Sequence, residues 1–391
     1  MTASSRRTLA HAQLASSVGD GIYLVTSAFY FARIVGLSPT EIGLGLTLGW
    51  AVGSVAGVPL GRLADRRGPR GVAVLLALAT ATAVACFLVV RSFPLFVVAT
   101  CLYGTAQTGL SAARQALLAA LVEPSERTVV RAVLQATLNG GLAVGAALGG
   151  LALHLDTREG YLALLAFDAL TFVAAALVLL RLPAVPPTQA SPTSRWGVLK
   201  DRPYALVTMI NAVMMFYMPL LSLIVPLWIA TRTDAPSWMV SALLFINTVG
   251  VLLFQVRVAR RVKGLRDASV AVRLAGLVMF AACAVFAMSS SAWLWLIAGV
   301  LLQVAAEMLL ASGAWEISFT LAPDDRQGEY QAFFGTGTAV ARMLGPAVLT
   351  TVVIGGGTPG WLLLGAVFVA AGAAMAPAIR RAEARRSLEP A

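Results

Sequence analysis

The chain has 391 residues, of which 59% are hydrophobic and only 12% are charged. Its mean hydropathy is +0.82, and a soluble domain would carry about 25% charged residues, so a soluble fold is excluded. The net charge of +11 does not indicate nucleic-acid binding, because the arginines are spread between apolar runs rather than gathered on one face.

Twelve apolar runs follow one another along the chain, each long enough to cross a hydrocarbon core of about 30 Å. They predict transmembrane helices, because backbone groups in lipid must be paired within their own segment. We number them spans 1 to 12, in the order 12–36, 41–61, 71–91, 94–117, 131–154, 159–181, 204–230, 236–256, 270–290, 292–317, 329–354 and 359–379. The loops between them are short, so no soluble domain is expected.

The basic residues predict the orientation of the spans. With both termini inside, 24 of the 29 Lys and Arg residues fall in inside segments, as the positive-inside rule requires. The chain is rich in Ala, Gly and Arg, and its only lysines are Lys200 and Lys263, which indicates a high-GC bacterium. We therefore expect a multi-pass protein of a bacterial inner membrane with both termini in the cytoplasm.

The longest polar segment lies between spans 6 and 7 and is rich in proline and serine. This composition is typical of a linker. We therefore predict an N-terminal six-helix bundle over 1–182, a cytoplasmic linker over 183–203 and a C-terminal six-helix bundle over 204–391.

The two halves of the chain resemble each other. Pro124 and Arg127, before span 5, match Pro323 and Arg326, before span 11, at a common offset of 199 residues. A repeat of this size is what duplicated transporter halves would produce. The fold class expected is an all-α membrane protein, with twelve transmembrane helices in two pseudo-symmetric six-helix bundles.

The most specific motif lies between spans 2 and 3 and reads G-R-L-A-D-R-R-G-P-R. Its glycines permit a tight turn, and its aspartate can accept charge-assisted hydrogen bonds. It resembles the loop signature of the major facilitator superfamily, G-x-L-x-D-R-x-G-x-R/K, which acts there as a conformational latch. The resemblance implies the major facilitator fold and gating roles for Gly61, Asp65, Arg66, Gly68 and Arg70.

Span 5 carries Gly141, Gly145, Gly149 and Gly150. Their spacing resembles a second pattern of that superfamily, G-x-x-x-G-P-x-x-G-G, which is associated with drug/proton antiporters. Ala146 stands where this pattern has proline. Small residues at this spacing are also ordinary helix packing in lipid, so an exporter motif and plain packing both remain possible interpretations.

Span 4 lacks the arginine that the superfamily pattern R-x-x-Q-G places at mid-depth. Aligning the pattern on Gln107 puts Gly104 at the arginine position. Arg114 lies nearer the cytoplasmic end, where we expect a cytoplasmic anchor or a latch partner.

Ionisable residues inside the spans are functional candidates, because each costs about 2.5 to 3.5 kcal/mol at a helix centre on the insertion scale. Asp20 in span 1 is expected to serve coupling or cation recognition, with a structural hydrogen bond as the alternative. Glu307 in span 10, with Gln303 one turn earlier, is expected to bind a proton or substrate, and a fixed pair with Arg342 is the alternative. Asp168 in span 6 is expected to be structural.

Span 7 contains Asn211, Met215 and Tyr217 among further methionines, aromatic residues and prolines. Methionine and aromatic side chains form an adaptable apolar wall. We expect this span either to line the cavity of a bulky lipophilic substrate or simply to pack against its neighbours.

The sequence contains no G-x-x-x-x-G-K-[ST] phosphate loop, so the proton gradient rather than ATP is the expected energy source. We expect proton-coupled efflux of a lipophilic drug or secondary metabolite by alternating access. The alternative is uptake or efflux of a sugar or other polar metabolite.

The expected partners are a small-molecule substrate, protons and the lipid bilayer, with the chain acting as a monomer. We expect no cofactor, no metal site and no nucleic-acid partner, because the three cysteines have no metal-ligand spacing. The sequence offers no nucleophile and base that converge on one site, so we do not expect an enzyme.

Overall fold

The computed structural model of the protein describes residues 3–155, 157–187, 197–236, 238–289 and 292–386. These residues form helices joined by turns, and no strand occurs among them. The all-α fold class expected from the apolar runs is confirmed.

The α-helices run in chain order as follows: α1 (Ala3–Phe29), α2 (Pro39–Arg67), α3 (Pro69–Phe87), α4 (Phe93–Leu121), α5 (Arg127–Leu155), α6 (Arg158–Leu180), α7 (Gly197–Lys200), α8 (Arg202–Met214), α9 (Val225–Arg232), α10 (Trp238–Ala259), α11 (Gly264–Met288), α12 (Leu294–Thr320), α13 (Gln327–Leu349) and α14 (Gly357–Arg386). π-Helical turns occupy Tyr30–Val35, Leu220–Ile224 and Thr350–Gly355. Short 3₁₀ turns occupy Pro124–Glu126, Met215–Tyr217 and Asp324–Arg326.

Spans 1 to 6 correspond to α1 to α6, and spans 8 to 12 correspond to α10 to α14. Span 7 is not one continuous α-helix. It consists of α8 and α9, joined by the 3₁₀ turn and a π turn on either side of Pro219. Proline has no backbone N–H and cannot complete the regular helix ladder, so the α-helical pattern breaks there.

Capping side chains fix the starts of several helices. Ser38 forms a capping box with Glu41 at the start of α2. Thr157 accepts a hydrogen bond from the Gly160 N–H at the start of α6, and Asp201 caps α8 in the same way. These side chains satisfy N–H groups that have no partner inside the helix.

Eleven helical stretches among the described residues are long and apolar enough to cross a membrane. Helix α1, which mixes polar residues such as Gln13, Ser16 and Asp20 with apolar ones, is not counted among these eleven. The protein is therefore a multi-pass membrane protein with about eleven or twelve spans. Large apolar side chains such as Leu24 and Val55 are exposed, as contact with lipid requires.

The chain divides into two compact units. The first unit comprises Met1–Thr193 and Ala322–Phe333, and the second comprises Ser194–Leu321 and Phe334–Ala391. Helix α13 thus begins in the first unit and continues in the second. Residues 188–196 of the linker expected over 183–203 lie outside the described residues, and the domain boundaries remain a prediction.

Each unit has its own helix packing. In the first unit α1 packs on α5 and α6, α2 packs on α4, and α3 packs on both α4 and α6. In the second unit α11 packs on α12 and α14, α10 packs on α12, and α8 packs on α14.

The helix pattern repeats along the chain. Helix α2 begins at Pro39 and α10 begins at Trp238, which is the offset of 199 residues seen in the sequence. The matching segments before α5 and α13 are both 3₁₀ turns, Pro124–Glu126 and Asp324–Arg326. The repeat is therefore present in the helices as well as in the residues.

Candidate functional site

A cavity of about 180 Å³ lies in the first unit, bordered by α1, α4, α5 and α6. Leucine side chains supply most of its apolar wall. Its polar lining consists of Gln13, Asp20, Gln107, Ser111, Arg114, Gln115 and Arg131. A concave apolar site with a few convergent polar groups is typical of a small-molecule binding site.

Asp20 of α1 is held at this cavity by two side chains of α4. Its Oδ1 accepts a hydrogen bond from Gln107 Nε2 at 2.7 Å and a longer one from the Tyr103 hydroxyl at 3.4 Å. Gln107 Nε2 also donates to the Tyr103 hydroxyl oxygen at 3.0 Å. Asp20 is only half-buried, so its carboxylate remains accessible from the cavity.

Two arginines stand on other walls of the cavity. Arg114 Nη2 donates to Ser16 Oγ at 3.1 Å, and its buried Nε has no acceptor among the described residues. The Gln115 amide, turned with its oxygen toward Arg131, lies 2.9 and 3.3 Å from the two terminal nitrogens of that guanidinium. Arg114 was expected to be a cytoplasmic anchor or latch partner, but the structure places it in the cavity lining.

Asp168 of α6 is fully buried, and neither of its carboxylate oxygens accepts a hydrogen bond from a described residue. The Thr171 hydroxyl nearby donates to the backbone carbonyl of Asp168 at 2.7 Å. Gly19 of α1 faces both side chains and leaves no space for a Cβ. Asp20, the residue after Gly19, is an electrostatic neighbour of Asp168.

The glycine motif of α5 packs against α1, the helix that carries Asp20. Gly141, Gly145 and Gly149 face α1, and a Cβ at Gly145 would collide with the Val18 carbonyl. Gly150 faces open space. Because glycine lacks a Cβ, three of the four motif positions let the two helix backbones approach closely.

The loop motif between α2 and α3 contacts the first turn of α13, within the first unit. The two carboxylate oxygens of Asp65 accept hydrogen bonds from the backbone N–H groups of Gly328 at 2.8 Å and Glu329 at 3.0 Å. Gly61 packs on the backbone of Gly328 with no room for a side chain. A carboxylate at this position satisfies N–H groups that lack a partner inside the helix and interacts favourably with the helix dipole.

The other residues of this motif have distinct environments. Gly68 has φ = 91°, a left-handed conformation that favours glycine, and it links α2 to α3. Arg70 Nη1 donates to the Leu182 carbonyl at 2.8 Å. Arg66 is exposed. Gly68 and Arg70 therefore shape the loop, while Arg66 lies on the surface.

The candidate acid Glu307, on α12 in the second unit, has two neutral donors. It accepts a hydrogen bond from Asn247 Nδ2 at 2.9 Å and another from the Tyr217 hydroxyl. Gln303, one turn earlier, is buried. Arg342 is exposed and is an electrostatic neighbour of Tyr217. The structure thus brings Glu307 and Tyr217 together.

The remaining candidates of span 7 lie in the second unit. Asn211 is buried, and its Oδ1 has no donor among the described residues. Met215 is half-buried. Neither residue lines the cavity of the first unit, so their role in a substrate cavity remains a prediction. Within the described ranges, no three His, Cys, Asp or Glu side chains are grouped as a metal site requires.

Sequence reasoning missed the arginines of the cavity. One signal was present, because Gln107, Ser111 and Arg114 follow one another at intervals of four and three residues and therefore share one face of α4. Gln115 lies four residues after Ser111, on the same face. Arg131 carried no such signal. At the start of span 5, which is predicted to be cytoplasmic, it has the position of an ordinary topogenic arginine.

A duplicated set of membrane-spanning helices with a polar interior cavity defines a class of protein, the polytopic membrane transporters. The family model of the Major Facilitator Superfamily matches residues 9–346, which is well over half of the chain. The chain belongs to the Major Facilitator Superfamily. It is therefore a membrane transporter of a small molecule rather than an enzyme.

Solved structures share this fold. A bacterial homologue of the iron transporter ferroportin in an outward-facing state is 14% identical, with a TM-score of 0.80 over 97% of this chain and 99% of that chain. The human organic anion transporter MFSD10 (TETRAN) is 17% identical, with a TM-score of 0.75 over 94% and 98%. The transporter FucP in the outward conformation is 13% identical, with a TM-score of 0.72 over 96% and 98%. A comparison with curated proteins finds no match.

Proposed function

We propose that the chain is a proton-coupled exporter of a lipophilic drug or secondary metabolite that works by alternating access. The observation that carries this proposal is Asp20, a carboxylate that lines a cavity together with four leucines. A proton and a substrate that bind in one cavity can exclude each other. Such exclusion is the requirement for exchanging one for the other.

The proton gradient supplies sufficient energy for this exchange. Its electrical part provides about 2.3 kcal/mol per elementary charge per 100 mV, which corresponds to roughly a fortyfold concentration gradient. Each proton that enters through Asp20 could therefore drive export against a substantial substrate gradient.

The size of the cavity supports a lipophilic substrate with a ring-sized group. An engineered apolar cavity of about 150 Å³ is large enough to bind benzene, and the cavity of the first unit measures about 180 Å³. Leu9, Leu134, Leu138 and Leu179 provide the apolar contacts. A single aromatic ring with a polar substituent fits this combination.

The direction of transport is inferred from α5. Its exporter-like glycines pack against α1, so the sequence feature associated with exporters and the acid proposed to bind the proton lie on neighbouring helices. Asp65 is proposed to act as the conformational latch, because its two hydrogen bonds to the start of α13 can be broken and remade in each transport cycle.

We further propose that Glu307 and Gln303 bind a proton or substrate in the second unit, with Arg342 setting the local charge. Asn211, Met215 and Tyr217 would form the adjoining substrate wall. The protein would act as a monomer in a bacterial inner membrane with both termini in the cytoplasm, as the distribution of basic residues indicates.

A second candidate function is uptake or efflux of a polar metabolite. The observation in its favour is the polar lining of the cavity, where two arginines face a single acid. Arginine stays protonated and forms forked hydrogen bonds with carboxylates. The cavity would therefore favour an anionic group over a cationic one.

Transport in inverted membrane vesicles energised to be acidic inside tests the two candidates. The probes are chloramphenicol, ethidium and the three compounds benzoate, benzamide and benzamidinium, which share one shape and differ in charge. The exporter proposal expects uptake of a lipophilic probe that collapses when an uncoupler is added. Uptake that resists the uncoupler would contradict proton coupling, and uptake of benzoate alone would favour the polar-metabolite candidate.

A further inference from the structure

Asp168 occupies an unusual environment at the centre of α6. Its side chain is fully buried, and no described residue donates a hydrogen bond to either carboxylate oxygen. Burying an ionised carboxylate without a donor or cation is highly unfavourable. Burial in such a place therefore favours the neutral acid, with a bound proton, over the ionised form.

A second acid, Asp20, directly follows the glycine on which the Asp168 side chain packs. Asp20 of α1 is an electrostatic neighbour of Asp168, and Gly19 leaves the space between α1 and α6 that the Asp168 carboxyl group fills. Two carboxylates close together in a low-dielectric environment cannot both ionise easily. A proton bound to either one therefore alters the affinity of the other.

The two acids differ in access to the cavity. Asp20 is half-buried and lines the cavity, whereas Asp168 is fully buried behind Gly19. Gln107 and Tyr103 donate hydrogen bonds to Asp20, so its ionised form has partners while that of Asp168 has none among the described residues. The neutral form is thus favoured at Asp168, and the ionised form is favoured at Asp20.

No other titratable group described near Asp168 is a second acid that could share its proton. Tyr23 of α1 and Tyr103 of α4 are its electrostatic neighbours and are neutral when protonated. The charged or phenolic groups of the other elements around α6 have contacts of their own: Arg70 with the Leu182 carbonyl, Arg114 with Ser16, Arg131 with Gln115, Tyr30 with the Phe87 carbonyl, and Arg33 with the Phe29 ring.

We propose that Asp168 and Asp20 form one proton-binding site, in which Asp168 holds the transported proton and Asp20 exchanges it with the cavity. This inference rests on the proposed proton coupling and adds a second residue to it. The step is a proton transfer between two carboxyl groups, and it neither makes nor breaks any other bond. Asp168, expected from the sequence to be structural, becomes part of the coupling site.

Counting the protons on the purified protein tests this site without any substrate. The protein in detergent is titrated in weakly buffered solution between about pH 5 and about pH 9, a range that includes the titration of buried carboxyl groups. Wild type is compared with Asp168→Asn, which has the shape and neutral charge of the protonated acid. Thr171→Val is the matched control, because it removes a neighbouring hydroxyl and leaves both acids in place.

The proposal expects Asp168→Asn to lose one titrating proton and the remaining Asp20 to titrate as a single independent group. Thr171→Val should keep the proton count of wild type, and thermal unfolding should show that both variants are folded. Equal proton counts in wild type and Asp168→Asn would overturn the proposal, because Asp168 would then keep its proton throughout and be structural.

A titration repeated in sodium chloride and in choline chloride identifies the ion. The same curve in both salts supports a proton site, whereas displacement of protons by sodium would overturn the assignment to the proton. Because no substrate is present, this titration tests the proton site independently of the export proposal. The export proposal is tested only by the vesicle experiment.

Discussion

Helices α4 and α12 occupy equivalent positions in the two halves of the repeat, but they carry different chemistry. An offset of 199 residues takes Gln107 and Arg114 of α4 to Ala306 and Gly313 of α12. The cavity arginine of α4 therefore has no basic counterpart. The acid of α12, Glu307, stands one residue from the position equivalent to the amide of α4.

The two halves also differ in which helix carries the acid and which carries its hydrogen-bond donor. In the first unit the amide of Gln107, on α4, donates to the acid Asp20 on α1. In the second unit the acid Glu307, on α12, accepts from Tyr217, which follows α8, the repeat counterpart of α1. The acid has thus moved from one helix of the pair to the other.

This difference shows which features of the duplicated fold are retained. The helix framework depends on apolar faces and small residues, and both halves keep it. Charged residues depend on what each half must bind, and they have diverged. This divergence supports our proposal that the first unit, where two arginines and one acid line a cavity, contributes most to charge-dependent ligand recognition and proton binding.

The largest effect that distinguishes the two units is expected on ligand binding when the cavity arginines of the first unit are replaced. We expect Arg131→Gln or Arg114→Gln to weaken benzoate binding by roughly ten- to a hundredfold, because a hydrogen bond to a charged group contributes about 1.5 to 3 kcal/mol. Isothermal titration of the purified protein with benzoate, benzamide and benzamidinium measures it. Exposed Arg66→Gln is the control, and tighter binding of benzamidinium than of benzoate by wild type would refute an anion-selective cavity.

A smaller effect is expected from the small residues of the framework. Gly145→Ala would place a methyl group against the Val18 carbonyl, and such overpacking costs about 1 to 3 kcal/mol of unfolding free energy. Gly150→Ala has open space and should change stability by no more than about 0.5 kcal/mol. Thermal unfolding in detergent compares the pair. Equal losses in both variants would show that the α1–α5 approach does not depend on Gly145.

The smallest effect on stability is expected at the latch residue Asp65. This acid has no counterpart in the second half, because the equivalent position is Gly264. Asp65→Ala removes the acceptor of two N–H groups at the start of α13 and should lower stability by about 1 kcal/mol, as for a lost helix cap. Arg66 is exposed, so Arg66→Ala should change the free energy of unfolding by no more than about 0.5 kcal/mol. Chemical unfolding followed by fluorescence measures both. If Asp65→Ala were as stable as wild type, the two hydrogen bonds from Asp65 to the start of α13 would not contribute to stability.

Much of the fold could be predicted from the sequence because lipid imposes strong constraints. Each span must be a helix of sufficient length, and the apolar runs therefore predicted the membrane helices and their order. The break of span 7 into α8 and α9 was harder to predict. Prolines permit a kink, but whether the backbone finds other partners depends on neighbouring helices.

The candidate site was less predictable. A helix that is apolar on all sides gives no periodic signal of which face meets a cavity, so the environment of Asp168 could not be read from span 6. Arg114 and Arg131 lie near helix ends that the sequence predicts to be cytoplasmic, where arginines usually set topology. Only the packing of α1, α4 and α5 shows that these arginines line a cavity with Asp20.

The most direct test of the account compares the acids of the two units in one assay. In inverted vesicles energised to be acidic inside, we measure uptake of the chloramphenicol, ethidium and benzoate-series probes by wild type, Asp20→Asn and Glu307→Gln. We expect Asp20→Asn to reduce uncoupler-sensitive uptake by at least about tenfold, the equivalent of about 1.4 kcal/mol, and Glu307→Gln to reduce it less. Uptake that survives in Asp20→Asn and is lost in Glu307→Gln would contradict the account and place the coupling acid in the second unit.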